Sequence, residues 1–178
     1  MSILKIAKLG HPILNAKAKK VENILDFNIK YLINNMSETM LDAKGVGLAA
    51  PQIHISKQII IFRIPENEDL DIKEKEIRIT TLINPSIIEL TDETEDQWEG
   101  CLSIPGMLGL VRRCSRIRYK GHDMNGNIIE KEAEGFHARV VQHEYDHLLG
   151  KLYTERLSHK HAFGFAEEIE NYWKNRNE

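Results

Sequence analysis

The sequence predicts an α+β domain, because helix-like and strand-like patterns occupy separate parts of the chain. An amphipathic helical pattern covers residues 21–43, strand-like runs fill the middle, and helical patterns return in residues 135–150 and 161–173. Strands that are grouped together, instead of alternating with helices, favour mixed or antiparallel sheets. No repeat or shift in composition marks a boundary, so residues 1–178 are predicted to form one domain.

Length and charge indicate an ordinary soluble protein. The chain has 178 residues and a formal net charge of −3, which gives no preference for nucleic acid. Residues 1–20 contain only a short apolar run, too weak for a signal peptide, and no stretch is apolar enough to predict a membrane span. The two cysteines, Cys101 and Cys114, are expected to be reduced thiols in a cytoplasmic protein, with Cys114 in a structural role.

The first predicted element is the helix over residues 21–43. Its apolar side chains recur mostly at steps of three and four, the period of one helix face, and Gly45 is expected to end it. We expect this helix to contribute to the core and not to a site. Its apolar positions are Ile24, Leu25, Phe27, Ile29, Leu32, Ile33, Met36, Met40 and Leu41.

Residues 45–52 follow, with the sequence Gly-Val-Gly-Leu-Ala-Ala-Pro-Gln. Such small residues let the backbone approach a ligand or another element closely, although a tight helix-to-strand turn explains them equally well. The run lacks the spacing and the lysine of a phosphate-binding loop. Gln52 has chemical interest, because a side-chain amide can donate a hydrogen bond to a developing oxyanion.

The middle of the chain is predicted to be rich in β-strands. The dipeptide at 125–126, Asn-Gly, predicts a hairpin turn. Residues 65–76 are predicted to be a solvated acidic loop, and residues 92–96 form a second acidic patch. The predicted strands are residues 58–64, 77–90, 111–122 and 127–133.

Residues 143–147 read His-Glu-Tyr-Asp-His and lie in the predicted helix over 135–150, which Gly150 is expected to end. Residues four apart share a helix face, so His143 and His147 can bind one metal ion. Glu144 would then lie beside the metal, where it can take a proton from water and pass it to a leaving group. The alternative is a solvated surface helix without a metal.

Two histidines do not hold a catalytic metal ion, so a third ligand is needed. A metzincin-like site fails, because Tyr153 stands where that motif requires histidine. A thermolysin-like site could use Glu167, Glu168 or Glu170, although such glutamates are more typical of a solvated face. Cys101 could instead complete a Cys/His/His site with an open fourth position.

Three motifs together resemble the peptide deformylase family. They are residues 45–52, the Glu-Gly-Cys-Leu-Ser run at 99–103 and the Gln-His-Glu-Tyr-Asp-His-Leu run at 142–148, and residues 9–14 are similar to the family's opening. Each motif alone is weak, but their order and spacing match over nearly the whole chain. The resemblance implies mixed or antiparallel sheets packed around a central His-Glu-x-x-His helix, with an N-terminal and a C-terminal helix.

The resemblance also implies a role for each matching residue. Glu144 would be the general acid and base, and Gln52 with the backbone N–H of Leu102 would stabilise the oxyanion. Glu99 could also pair with Arg113 and fix the cysteine loop. The implied metal ligands are Cys101, His143 and His147. The expected substrate-binding residues are Val46, Gly47, Glu99, Phe136, Arg139 and Val140.

The implied enzyme removes the formyl group from N-terminal formylmethionine of nascent polypeptides and releases formate. One divalent ion is expected, Fe(II) in the cell, with zinc, nickel or cobalt able to replace it. The implied partners are formylmethionyl peptides and the ribosome near its exit tunnel, without a membrane or sequence-specific nucleic acid. Leu108 and Arg112 depart from the family's pattern. The rival functions are a metallopeptidase that uses Glu167 or a neighbour, and an inactive relative that only binds peptides.

Overall fold

The computed structural model of the protein describes residues 2–65 and 77–172, and within them two antiparallel sheets pack with three α-helices. The larger sheet has the order β1-β2-β3-β6-β7, formed by Gly47–Ala49, Ile59–Ile64, Ile77–Glu89, Arg116–His122 and Ile128–Glu134. The smaller sheet has the order β4-β5-β8, formed by Thr94–Cys101, Ile104–Cys114 and Phe163–Phe165. The helices are α1 Phe27–Asp42, α2 Gly135–Leu148 and α3 Ala166–Tyr172. The predicted α+β class is therefore confirmed.

The larger sheet is covered on both faces, and strand β2 shows why. Phe62 faces the cluster that contains Val141 of α2, whereas Ile61 faces the cluster that contains Ile33 of α1. Successive side chains of a strand point to opposite faces, so a strand buried on both sides consists of apolar residues without alternation. Five of the six residues of β2 are accordingly buried, and Arg63 is partly exposed.

Helix α2 lies against β1 and β2 and presents a second face to a cleft between the two sheets. Ala138, Val141 and Leu148 pack into the core of the larger sheet. His143 and Glu144 line the cleft on the other side. In the described residues, no helix is long and apolar enough to span a membrane.

The first helix is shorter than the sequence predicts. It begins at Phe27, because the Asp26 carboxylate accepts a 2.8 Å hydrogen bond from the backbone N–H of Asn28 and caps the helix there. Val21 is held instead by two 2.9 Å bonds between its backbone and the side chain of Asn84. At the other end, the left-handed residue is Lys44, with φ 54°, and not Gly45.

The prediction of one strand over residues 111–122 is wrong, because the chain changes sheets at Ser115. Strand β4 includes residues that were predicted only as an acidic patch. The sequence does not predict a strand there, because these side chains are exposed and show no apolar alternation. The predicted helix over 161–173 begins only at Ala166, after the short strand β8. The predicted loop over 65–76 lies outside the described residues except for Pro65.

Candidate metal centre

Cys101, His143 and His147 come together at one end of the cleft. His143 and His147 lie one turn apart on α2, and Cys101 is the last residue of β4. One ligand atom from each lies within 4.8 Å of the others, and the Sγ of Cys101 is 3.4 Å from the Nε2 of His147. Within residues 2–65 and 77–172, this is the only such group of three, so Glu167 and its neighbours are not drawn into it. A thiolate and two imidazoles are a fitting donor set for a divalent metal ion.

Glu99 fixes the orientation of His143. One carboxylate oxygen lies 2.8 Å from the Nδ1 of His143, which leaves Nε2 to face the centre. Arg113 donates two bonds to the same carboxylate, at 2.8 and 2.9 Å, and Arg139 donates one at 2.7 Å. Since both oxygens are already engaged, the geometry favours the ion pair with Arg113 that the sequence suggested for Glu99 over direct contact with a substrate, and the contact with His143 is a further role that was not predicted.

This buried ion pair extends to the back of α2. Arg113 also donates a 2.6 Å bond to Asp146, which accepts two further bonds from Arg156 at 2.6 and 2.7 Å. The chain of charges therefore links β5, α2 and the 3-10 turn Tyr153–Arg156. Neither Asp146 nor Arg156 was among the predicted site residues. Asp146 stands inside the histidine motif, which is a usable signal, but nothing in the sequence marks Arg156.

The charges around the centre favour the ionised form of the cysteine. Burial alone would raise the pKa of the Cys101 thiol, but His147 and His143 outweigh it and hold that pKa well below its ordinary value. Burial would also raise the pKa of Glu99, but the bonds from Arg113 and His143 lower it. The thiolate is the form of cysteine that binds metals.

Glu144 is a buried acid at the centre, and no ion pair is recorded for it within the described part of the chain. It is 4% exposed, and its Oε2 has no hydrogen-bond partner among the described residues. Burial raises its pKa to about 7, against the opposing effect of His143. A carboxyl group with such a pKa can both accept and release a proton near neutral pH.

Gly47 makes room for the Glu144 carboxyl group. A Cβ atom on Gly47 would lie 2.6 Å from the Cδ of Glu144, well inside van der Waals contact. Gly47 is the first residue of β1, the edge strand of the larger sheet. Gly47 therefore allows the close approach of the β1 backbone to Glu144, in line with the close approach expected from the run of small residues.

Gln52 points its amide nitrogen at the cysteine loop. Its Oε1 accepts a 2.8 Å bond from the backbone N–H of Ala49, which fixes which end of the amide faces the centre. Its Nε2 donates to the Oγ of Ser103 at 3.2 Å and to the Sγ of Cys101 at 3.4 Å. The 3-10 turn Ala50–Ile53 holds it there, almost fully buried.

The centre opens into a cavity of about 630 Å³, within the range of small-ligand pockets. The cavity lies between β1, the β4–β5 hairpin and α2. Trp98, Met107 and Lys8 also line it, and none of them was among the residues predicted for the site. All the predicted substrate-binding residues line the cavity: Val46, Gly47, Glu99, Phe136, Arg139 and Val140.

Known proteins are similar to this chain in sequence and in fold. The model of the family described as polypeptide deformylase matches residues 3–163. Peptide deformylase 1 of Bordetella pertussis is 51% identical over 92% of this chain and 93% of its own. The crystal structure of peptide deformylase from Ehrlichia chaffeensis is similar with a TM-score of 0.82 and 37% identity, over 88% of this chain and 89% of that one. A class I type b peptide deformylase from Acinetobacter baumannii with bound Met-Ala-Ser has a TM-score of 0.80 and 37% identity, over 88% and 100% of the two chains.

Proposed function

The chain belongs to the peptide deformylase family, and from this we infer how its own residues carry out the family's reaction. The family consists of metal-dependent hydrolases that remove the N-formyl group from nascent polypeptides, and this chain is such an enzyme. We propose that Cys101, His143 and His147 hold the metal ion. The observation that carries the proposal is their convergence within 4.8 Å beside the unpaired Glu144.

The fourth position beside these ligands is proposed for water and substrate. A bound divalent ion would lower the pKa of water from about 15.7 toward about 7 and polarise the formyl carbonyl group. Glu144 then takes the water proton at its free Oε2 and later donates it to the departing amine. The raised pKa of Glu144, about 7, suits both steps. The products are formate and a peptide with a free amino terminus.

Gln52 and Leu102 are proposed to stabilise the negative charge that develops on the formyl oxygen. The Nε2 of Gln52 already points at the cysteine loop, and the backbone N–H of Leu102 lies in the turn of that loop. Donors that are fixed before the reaction need no reorganisation in the transition state. Support for Gln52 comes from the Ala49 bond, which prevents its amide from turning over.

We propose that the peptide lies extended along the backbone of Val46 and Gly47. Gly47 begins the edge strand β1, and an edge strand has backbone groups free to pair with an added strand. Val140 and Phe136, about one and two turns before His143 on α2, give the cavity an apolar wall for the methionine side chain. The stem of Arg139 extends that wall.

The ion proposed for the cell is Fe(II), with zinc, nickel or cobalt as replacements. Ferrous iron held by Cys101, His143 and His147 would be accessible to oxygen from the cavity, so the iron form should lose activity in air, whereas zinc is redox-inert. We propose that the protein works in the cytoplasm near the ribosome exit, where new polypeptides emerge. It is proposed to bind no nucleic acid sequence-specifically, and residues 1–178 are proposed to form one catalytic domain. Departures at Leu108 and Arg112 are proposed to alter contacts to the outer part of the peptide.

Formate release tests the proposal directly. The protein is purified without oxygen, its metal is analysed, and aliquots are reloaded with iron or zinc before a formyl-methionyl peptide is added. We expect formate from both forms and faster decay of the iron form in air. Glu144→Gln should retain the metal but release no formate. Formate at the wild-type rate from Glu144→Gln would contradict the role of this acid.

The metallopeptidase alternative predicts a different result for Cys101→Ala. A peptidase with a glutamate of α3 as third ligand would keep its metal in this variant, whereas the proposed site would lose most of it. An inactive binding protein would release no formate in any metal form. These two alternatives are therefore distinguished from the proposal by metal content and by formate.

A further inference from the structure

The segment before the first helix forms a strap, defined as residues 2–9, that runs from α1 to the metal centre. Near its start, the backbone N–H of Leu4 donates a 2.9 Å bond to the Oγ1 of Thr39 on α1. Farther on, Ala7 is 2% exposed and packs in a cluster with Leu14 and Tyr153. The strap is therefore an ordered part of the fold, although it contains no helix or strand.

The end of the strap joins the two loops that carry the proposed oxyanion donors. The backbone N–H of Ala7 donates to the carbonyl oxygen of Gln52 at 2.7 Å. The Nζ of Lys8 donates to the carbonyl oxygen of Leu102 at 2.8 Å, and the backbone N–H of Leu9 donates to that of Ser103 at 2.9 Å. Three consecutive residues thus connect the turn after β1 with the turn between β4 and β5.

This connection matters because the two donors belong to different sheets. Gln52 follows β1 of the larger sheet, whereas Leu102 lies at the hairpin of the smaller sheet. The Gln52 amide also bonds this hairpin directly, but its one bond to an oxygen there, the Oγ of Ser103, is long at 3.2 Å, and its other bond is to the sulfur of Cys101. The bond from Lys8 is shorter and charge-assisted, which is the stronger kind of hydrogen bond. It restrains the turn in which the Leu102 N–H must be aimed.

We propose that Lys8 is a positioning residue for the oxyanion donors, an inference that rests on the proposed function. Lys8 lines the cavity through an exposed side chain, so its removal leaves neither a buried charge nor a core cavity. A donor that is misaligned should cost less than a donor that is removed, for which about 10²- to 10³-fold is typical. We therefore expect Lys8→Met to lower kcat about tenfold and to change KM less than about twofold.

The experiment compares Lys8→Met with two matched variants in zinc-loaded protein. Lys8→Arg keeps a charged donor and should recover most of the turnover. Lys5→Met removes an exposed lysine of the same strap that is not among the described residues lining the cavity, and it should behave as wild type. Metal content and thermal unfolding should be equal in all three. Equal kcat in Lys8→Met and Lys5→Met, or no recovery by arginine, would overturn the proposal.

Amide hydrogen exchange supplies a readout that does not depend on turnover. The peptide that covers residues 101–103 should exchange faster in Lys8→Met than in Lys5→Met, because its turn has lost a restraint. Unchanged exchange would also overturn the proposal. If the proposed function is wrong, wild type and Lys5→Met will also release no formate. In that case hydrogen exchange at residues 101–103 still decides whether Lys8 holds the turn.

Discussion

Glu99 lies 2.8 Å from the Nδ1 of His143 and so determines which nitrogen of that ring faces the metal centre. Partners of this kind typically change metal affinity by about 10- to 100-fold. We expect Glu99→Gln to weaken zinc binding by about this factor, because a neutral amide cannot balance Arg113 and Arg139. Competition with a coloured chelator measures the Kd.

Asp96→Asn is the control for that experiment. Asp96 lies on the same strand and pairs with Arg112 in an exposed ion pair, far less buried than Glu99. Surface pairs contribute little, so this variant should bind zinc as wild type does. Equal zinc affinity in Glu99→Gln and Asp96→Asn would contradict the positioning role of Glu99.

Gly47→Ala should abolish most activity without loss of the metal. The added Cβ would lie 2.6 Å from the Cδ of Glu144, so the carboxyl group must move away from its position. A displacement of about 1 Å at a catalytic group can cost about 10²-fold in rate. Gly164→Ala, whose Cβ would have its nearest neighbour at 3.6 Å, should keep full activity. Formate release near the wild-type rate in Gly47→Ala would show that the acid tolerates the shift.

Gln52→Ala should lower kcat by about 10²- to 10³-fold and raise KM far less, because the amide acts mainly in the transition state. Gln52→Glu separates this effect from loss of the bond to Ala49, since a carboxylate still accepts that bond but cannot donate to an oxyanion. Both variants should lose similar activity, with metal content measured in each. An active Gln52→Glu enzyme would refute the donor role.

His137 should make the protein less stable in mild acid. It lies 3.2 Å from the hydroxyl of Tyr119, and burial, assisted by Lys131, lowers its pKa to about 4. The unfolded chain therefore takes up a proton first as the pH falls, and the stabilisation is present above about pH 6.5 and lost on the way down to about pH 4. The loss should be on the order of 2 kcal/mol after allowance for solvent screening.

The free energy of unfolding of wild type and His137→Phe, measured from pH 4 to 8, tests this. Acid release of the metal affects both proteins, so the difference between their pH slopes isolates His137. Wild type should lose more stability than His137→Phe between about pH 6.5 and about pH 4. Parallel curves would mean that His137 does not titrate differently in the folded and unfolded states.

Much of the fold could be predicted where an element shows a helical period or forms a continuous apolar run. The helix that carries His143 and His147 was predicted within two residues of its observed end at Leu148, and β2 within one of its start. Strand β4 could not be predicted, because an exposed edge strand has no apolar alternation to reveal it. The change of sheet at Ser115 also leaves no signal, because strand-favouring residues such as Val111 and Ile117 stand on both sides of it.

The site was predictable to the extent that it is encoded locally. Spacing alone indicates the two histidines, whereas the approach of Cys101 and Gln52 depends on how two sheets pack. Their side-chain chemistry makes both of them candidates, but no period marks them, and only the resemblance to a family assigns their roles. Arg156 bonds to Asp146, 10 positions away in the sequence, and Lys8 bonds to Leu102, 94 positions away. No local pattern marks either residue, because each acts through a contact that only the folded chain creates.

The single residue between β5 and β6 has a kinetic consequence. Cys114 ends a strand of one sheet and Arg116 begins a strand of the other, so at this crossing the walls of the cleft are joined without a flexible linker. The other crossing, residues 90–93, is bonded to it through Leu90 N–H to the Arg116 carbonyl oxygen and Ser115 N–H to the Glu93 carbonyl oxygen, each at 2.9 Å. Gln142 of α2 also donates a 2.9 Å bond to the carbonyl oxygen of Cys114 and ties this junction to the floor of the cleft. Hinge closure needs a few residues that absorb large backbone rotations, which this junction lacks. We therefore expect substrate to associate in one exponential phase, with an observed rate constant that rises linearly with peptide concentration. An observed rate constant that saturates at high peptide concentration would reveal a gating step.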